Sequence, residues 1–448
     1  MLKKQLLIAA LLFSPLISLQ AQEVKRIGTE TAAQKEQRMA WWTHDRFGMF
    51  IHWGLYAMPA RHEWVKHNEQ LTNEQYQNYF DLFNPNQFDP KSWAKQAKAA
   101  GMKYAVLTTK HHEGFCLFDS RYTDYKATNT PAKRDLVKEF VDAFRAEGIK
   151  VGFYYSLIDW HHPDFTIDVV HPQRPSNGAD STYARLNQGK DMNKYRQYMR
   201  NQITELLTRY GKIDILWLDF SYPGKNGKDK NDWDAVGLLK MIRKLQPSII
   251  VDNRLNLDEY EDGADFLTPE QVKVEELAKF RGKTWETCQT FSGSWGYFRD
   301  ENTWKSTHEL LQLLIASVSK GGNLILNVGP TARGVFDFRA QSALGNIGDW
   351  MKGNSESIYG CTYAPETFQV PQNTMLTYNP ATKRLYVHLL DYNARLVLPG
   401  YKDKIKYAQF LHDNSEVKFS ADGDNSIVLS LPEKKPAMEI PVVELILR

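Results

Sequence analysis

KIDILWLDF, residues 212–220, is apolar almost without interruption until it meets an acid. Ile213, Ile215, Leu216, Trp217 and Leu218 form the run expected of a strand covered on both faces. Asp219 closes that run two positions after Trp217 and therefore shares the face of its ring. Two readings are open: a solvated loop residue, or a catalytic carboxylate at the mouth of a barrel.

Similar strands recur on either side. RFGMFIHWG (46–54), YAVLTTK (104–110), VGFYYS (151–156), SIIVDNR (248–254), TWETCQT (284–290) and NLILNV (323–328) join 213–219 as strand candidates. Helical patterns fall between them at 91–100, 136–148, 192–211, 232–246, 307–320 and 337–353. In the third of these, Tyr195, Met199, Ile203 and Leu206/Leu207 make an i, i+4 stripe, and Gly211 supplies the stop. Such alternation predicts a (β/α)8-like (TIM) barrel rather than an open doubly wound sheet. Seven strands are clear, and the eighth is expected near 265–270. No G-x-G-x-x-G, G-x-x-x-x-G-K-[ST] or G-x-S-x-G is present, which argues against dinucleotide, P-loop and serine-hydrolase chemistry.

After Gly360 helices give way to short apolar runs punctuated by Gly, Pro, Asn and Asp, from KRLYVHLLD (383–391) to VVELILR (442–448). That texture predicts a C-terminal antiparallel β-sandwich. The expected division is 1–21 signal peptide, 22–357 catalytic barrel and 358–448 sandwich.

The signal peptide rests on Lys3 and Lys4, the apolar run from Leu6 to Leu19, and Ala21 at a cleavage-type position. The apolar run is too short for a membrane span and no Cys follows it, so the chain is expected in the periplasm or outside the cell. Without residues 1–21 the formal charge falls from +3 to 3 − 2 = +1. No basic cluster is present to bind phosphates, which disfavours a nucleic-acid partner. The three cysteines, Cys116, Cys288 and Cys361, do not make a disulfide framework.

Polar and aromatic residues gather where the candidate strands end. His52 and Trp53 end the first, Lys110 to Glu113 the second, Tyr154 to Ser156 the third, Asp219 the fourth and Arg254 the fifth. In a barrel these ends share one rim, where barrel active sites lie. His111 and His112 are adjacent, so they converge only in irregular backbone, and no H-x-x-x-H spacing supports zinc. Neither a metal nor a cofactor is expected. Glycoside hydrolysis needs two carboxyl groups, one to attack or activate water and one to protonate the leaving oxygen. Asp219 suits the first role. Glu63, Glu270 and Glu286 are the candidates for the second.

RFGMFIHWG, HEWV, TKHHEGF, YYSLIDWH, LWLDF, VDNR, WETC…SWGY and GGNLILNVGP, in this order over residues 40–355, resemble the α-L-fucosidases of glycoside hydrolase family 29. The resemblance implies a (β/α)8-like barrel with a C-terminal β-sandwich and a retaining double displacement. It places the nucleophile on Asp219. It also implies that His52, His111 and His112 hydrogen-bond fucose hydroxyls, that Glu63, Trp64 and Arg254 belong to the site, and that Trp295 packs near the sugar. Trp217, on the face of Asp219, and Tyr155, at the end of the third strand, complete the expected sugar contacts. The family does not keep its acid/base at one sequence position. Glu270, in DFLTPEQ, is preferred here, with Glu286 second and Glu63 third.

The resulting expectation is an exported, cofactor-free, exo-acting α-L-fucosidase working on fucosylated oligosaccharides or glycoconjugates. A barrel glycosidase for another sugar such as α-galactose, a metal-dependent hydrolase, and a non-catalytic carbohydrate-binding protein are the alternatives.

Overall fold

The computed structural model describes residues 25–176 and 178–448, so the expected signal peptide lies outside the described residues. Seven parallel strands carry the first part of the chain: β1 (Phe47–Ile51), β2 (Tyr104–Lys110), β3 (Lys150–Ser156), β4 (Ile215–Asp219), β5 (Ile250–Val251), β6 (Glu286–Thr290) and β7 (Asn323–Val328). Their order is β5-β4-β3-β2-β1-β7-β6, leaving a gap between β5 and β6. Residues 266–270 fill it. Parallel bridges join Phe266 to Asp252, and Leu267 and Glu270 to Trp285 and Cys288. The eighth strand thus lies where the sequence placed it, but as separate bridges rather than a ladder. Pro269 has no N–H to contribute, which interrupts any continuous pairing there.

Strand parity divides the core in two. Phe50, Tyr104, Val106, Tyr154, Ile215, Trp217, Cys288 and Ile325 pack together inside the barrel. Met49, Leu107, Phe153, Tyr155, Leu216, Leu218 and Leu326 pack outward with the helices. Burial on both faces explains why these strands read as unbroken apolar runs.

The surrounding helices follow their sequence signals. Helix 192–209 starts under an Asp191 side-chain cap, and helix 307–319 under a Ser306/Glu309 capping box. Helix 235–245 begins three residues after the position expected from the pattern, because Asp234 adopts φ 46° and breaks a short preceding turn of helix.

Beyond helix 338–354 the chain forms antiparallel sheets. One holds β8 (Thr362–Tyr363), β9 (Thr374–Asn379), β10 (Arg384–Leu389), β12 (Ile405–Phe410) and β15 (Val442–Leu447). The other holds β11 (Arg395–Pro399), β13 (Lys418–Asp422) and β14 (Ser426–Ser430). Their facing residues form a separate core that includes Leu385, Val387, Leu429 and Leu445. The strand pair β8–β9 has no counterpart among the sequence expectations. The sandwich is fastened to the barrel: Trp350 Nε1 donates to the Ile440 carbonyl at 2.7 Å, and Thr377 Oγ1 to the Ser357 carbonyl at 2.7 Å. Cys116, Cys288 and Cys361 are buried free thiols. No helix among the described residues is long and apolar enough to cross a membrane.

Candidate active site

The C-terminal ends of the barrel strands surround one cavity. Its lining includes His52, Glu63, Trp64, His111, His112, Trp217, Asp219, Glu270 and Trp295, all expected from the sequence, together with Phe50, Tyr154, Phe220 and Cys288. Arg254 enters from beside it, its guanidinium 4.8 Å from the Trp217 ring centre.

Asp219 is the last residue of β4, and only 9% of it is exposed. Tyr154 donates its phenol proton to Oδ2 at 2.7 Å, and Arg254 Nη1 donates to Oδ1 at 3.1 Å. Burial pushes the carboxyl up to about 6, opposed by Arg254 and reinforced by the charge of Glu270. The next residue, Phe220, sits at φ 87°, a strained region for a bulky side chain. That turn brings its ring to 4.9 Å from His112 and 5.4 Å from Trp64.

Arg254 is shared between two acids. While Nη1 reaches Asp219, Nη2 donates to Glu270 Oε2 at 3.0 Å, and Nε is steadied by Thr268 Oγ1 at 2.7 Å. Glu270 stands at the rim with 44% of its side chain exposed. Its backbone is bridged to β6, so a fixed chain segment presents a carboxylate that stays open to solvent.

The histidines are set by their partners. Asn327 donates through Nδ2 to the Trp295 carbonyl, which leaves Oδ1 to accept from His52 Nδ1 at 2.6 Å. Burial lowers His52 to about 3, so the ring is neutral and Nε2 is a bare acceptor. His112 follows the same logic. Ser156 Oγ gives its proton to the Ile158 carbonyl and accepts from His112 Nδ1 at 2.7 Å. The opposite nitrogen, Nε2, lies 3.9 Å from Asp219 Oδ2. Burial, with neighbouring positive groups, keeps both His111 and His112 well below the usual histidine range. Their rings are 4.0 Å apart just past the end of β2, in the irregular backbone that convergence requires. Among the described residues no cluster of three or more His, Cys, Asp or Glu is arranged to hold a metal ion.

Two expected residues are placed elsewhere. Tyr155 does not reach the cavity: its hydroxyl donates to Gln202 Oε1 at 2.8 Å in the outer, helix-facing layer. Tyr154 is the inward residue, because β3 pairs in register with β4, Tyr154 beside Trp217 and Ser156 beside Asp219. The alternation of Gly152, Tyr154 and Ser156 with Phe153 and Tyr155 signals that the two tyrosines face opposite ways, and the register with β4 settles which one faces in. Glu286, the second acid/base candidate, is the first residue of β6, at the opposite end of the barrel. It is fully buried and accepts the Tyr104 hydroxyl. Glu63, the third candidate, lines the cavity, but its Oε2 is occupied by the Gly296 N–H (2.8 Å), the Trp295 N–H (3.2 Å) and Ser294 Oγ (3.2 Å). Asn327 and Cys288 escaped the sequence reading: each is small and lies within an otherwise apolar or neutral strand.

The α-L-fucosidase family profile matches residues 16–356. The chain is 45% identical to α-L-fucosidase isoenzyme 1 from Paenibacillus thiaminolyticus, with a TM-score of 0.84 over 92% of this chain and 99% of that one. It is 30% identical, at a TM-score of 0.80, to a Bacteroides thetaiotaomicron family 29 α-L-fucosidase solved as a covalent intermediate trapped with 2-fluoro-fucosyl fluoride; the match covers 92% of this chain and 96% of that one. Human tissue α-L-fucosidase is 30% identical over 427 residues, 89% of this chain and 86% of that protein. A rim carrying paired carboxylates, on a barrel matched along nearly its whole length, makes this chain a member of the α-L-fucosidase family of glycoside hydrolases.

Proposed function

We propose that this α-L-fucosidase releases terminal α-L-fucosyl groups from fucosylated glycans with Asp219 as nucleophile and Glu270 as acid/base. The observation that carries the reading is the single Arg254 guanidinium that holds both carboxylates. Retaining enzymes as a class place their two carboxyl groups about 5–5.5 Å apart, closer than the gap that admits a water in inverting ones, and one guanidinium contacting both Asp219 and Glu270 keeps this pair together.

In the first step an Asp219 oxygen attacks the anomeric carbon while Glu270 gives its proton to the departing glycosidic oxygen. The aglycone leaves as an alcohol and a β-fucosyl ester forms on Asp219. In the second step Glu270 takes a proton from water, the water oxygen attacks the same carbon, and the ester bond breaks with net retention. Protonated Glu270 has less call on Arg254, which leaves the guanidinium to Asp219, the group that must stay ionised. His52 Nε2 and His112 Nε2, both bare acceptors, suit sugar hydroxyls. Phe50, Trp217 and Cys288 offer apolar surface to a C6 methyl, where a galactose hydroxyl would be left unpaired. Export by the N-terminal signal segment, to the periplasm or beyond the cell, belongs to the same reading and is checked by cell fractionation.

The deciding experiment removes each carboxylate. Asp219→Gly should abolish turnover, and added azide should restore it while yielding the inverted β-fucosyl azide. Glu270→Ala should lose cleavage of natural disaccharides yet keep much of its first-step rate on a dinitrophenyl fucoside, with azide giving the retained α-product. Normal turnover in a folded Asp219→Gly protein would sink the assignment.

A further inference from the structure

β5 is only two residues long, and its ladder with β4 ends at the rung Leu216–Val251. Asp219 lies three residues further on. Past the last rung a side chain makes the connection: the Leu218 N–H donates to Asp252 Oδ1 at 3.1 Å. Asp252 is completely buried and does not line the cavity, and its second oxygen has no hydrogen-bond partner among the described residues. Keeping an acid with an idle oxygen in such a place is costly, and an apolar residue of similar volume would avoid that cost. What the acid provides is a link between the two chain segments that carry Asp219 and Arg254.

We propose that Asp252 is a positioning residue for fucosyl transfer. Its Oδ1 stands in for the missing β4–β5 rung and holds Asp219 and Arg254 in register with each other. The inference rests on reading Asp219 as the nucleophile. A carboxylate that drifts by a fraction of an ångström loses both its line of attack and its Arg254 contact, and losses of about 100-fold follow from misplacements near 1 Å.

Inactivation by 2-fluoro-fucosyl fluoride tests this directly. Fluoride departs without needing an acid, so the rate of covalent labelling reads attack by Asp219 alone. Asp252→Asn retains an acceptor oxygen and should label within about threefold of the parent rate, whereas Asp252→Ala should label about 30- to 100-fold more slowly. The same Ala variant should lower kcat with KM changed less than about threefold, and the acid limb of its kcat/KM profile should move to higher pH as Arg254 loses its hold on Asp219. If the Ala variant does not fold, Asp252→Leu removes the acceptor while filling the space. A folded Ala or Leu variant that labels at the parent rate overturns the proposal, as does an Asn variant as slow as Ala, which would make charge rather than the acceptor decisive. Failure of the underlying reading looks different: the reagent would then leave Asp219 unlabelled in the parent enzyme.

Discussion

The two ends of the barrel each bury a carboxyl group, and they use it in opposite ways. Asp219 ends β4 beneath a cavity, with Tyr154 on one oxygen and Arg254 on the other. Glu286 begins β6 at the far end, sealed against the Tyr104 phenol and without a salt bridge among the described residues. Gly48 makes room for that phenol, since a β-carbon there would fall 2.1 Å from the Tyr104 ring. Burial raises both groups, Asp219 to about 6 and Glu286 to about 8. Burial alone therefore does not mark a catalytic acid. A cationic partner and an opening do.

The two carboxyls should not be exchangeable in effect. Asp219→Ala should lower kcat by about 10³- to 10⁵-fold on aryl fucosides, while Glu286→Gln should stay within about threefold. Steady-state kinetics on the folded variants decides this, and equal losses would erase the distinction between the ends.

Glu286 should show itself in stability instead. Its folded value of about 8 lies above the ordinary 4.5, so between these values the folded state holds a proton that the unfolded chain has released. Stability contributed at low pH is lost as pH rises through that window. Glu286→Gln cannot ionise, so its melting temperature relative to the parent should climb from pH 4.5 to about pH 8 and then level. A difference independent of pH would show that Glu286 is not held neutral.

The pH profile sharpens the account of Asp219. The nucleophile must be ionised, so kcat/KM should fall below about pH 6. Arg254 opposes the upward push of burial, so Arg254→Met should move this acid limb to higher pH and slow turnover by about 10- to 100-fold. An unmoved limb would mean that it reports another group.

The smallest effect separates adjacent residues on one strand. Tyr154→Phe removes a hydrogen bond to Asp219 and should reduce kcat about tenfold, whereas Tyr155→Phe removes one to Gln202 and should cost only about 1 kcal/mol of stability. Comparing kcat with the denaturation midpoint for each variant checks the pair. A kinetic defect in Tyr155→Phe would contradict its outward placement.

Much of the barrel is legible in the chain. Apolar runs bounded by Gly and Pro, with helices between them, specified barrel strands because each strand is buried on both faces. The ordered motifs brought His52, His111, His112 and Asp219 to the ends of strands that meet at one rim, and Arg254 to the segment after β5, which stops at Val251 rather than at the expected 254. What depends on pairing between distant segments is not legible there. Only the register of β3 against β4 distinguishes Tyr154 from Tyr155. Only the bridges from 266–270 to β6 bring Glu270 to the rim while Glu286 stays at the opposite end of its strand. A side-chain period of two reveals that successive residues face opposite ways, but which face lines the barrel is set by the neighbouring strand, and that neighbour is far away in the chain.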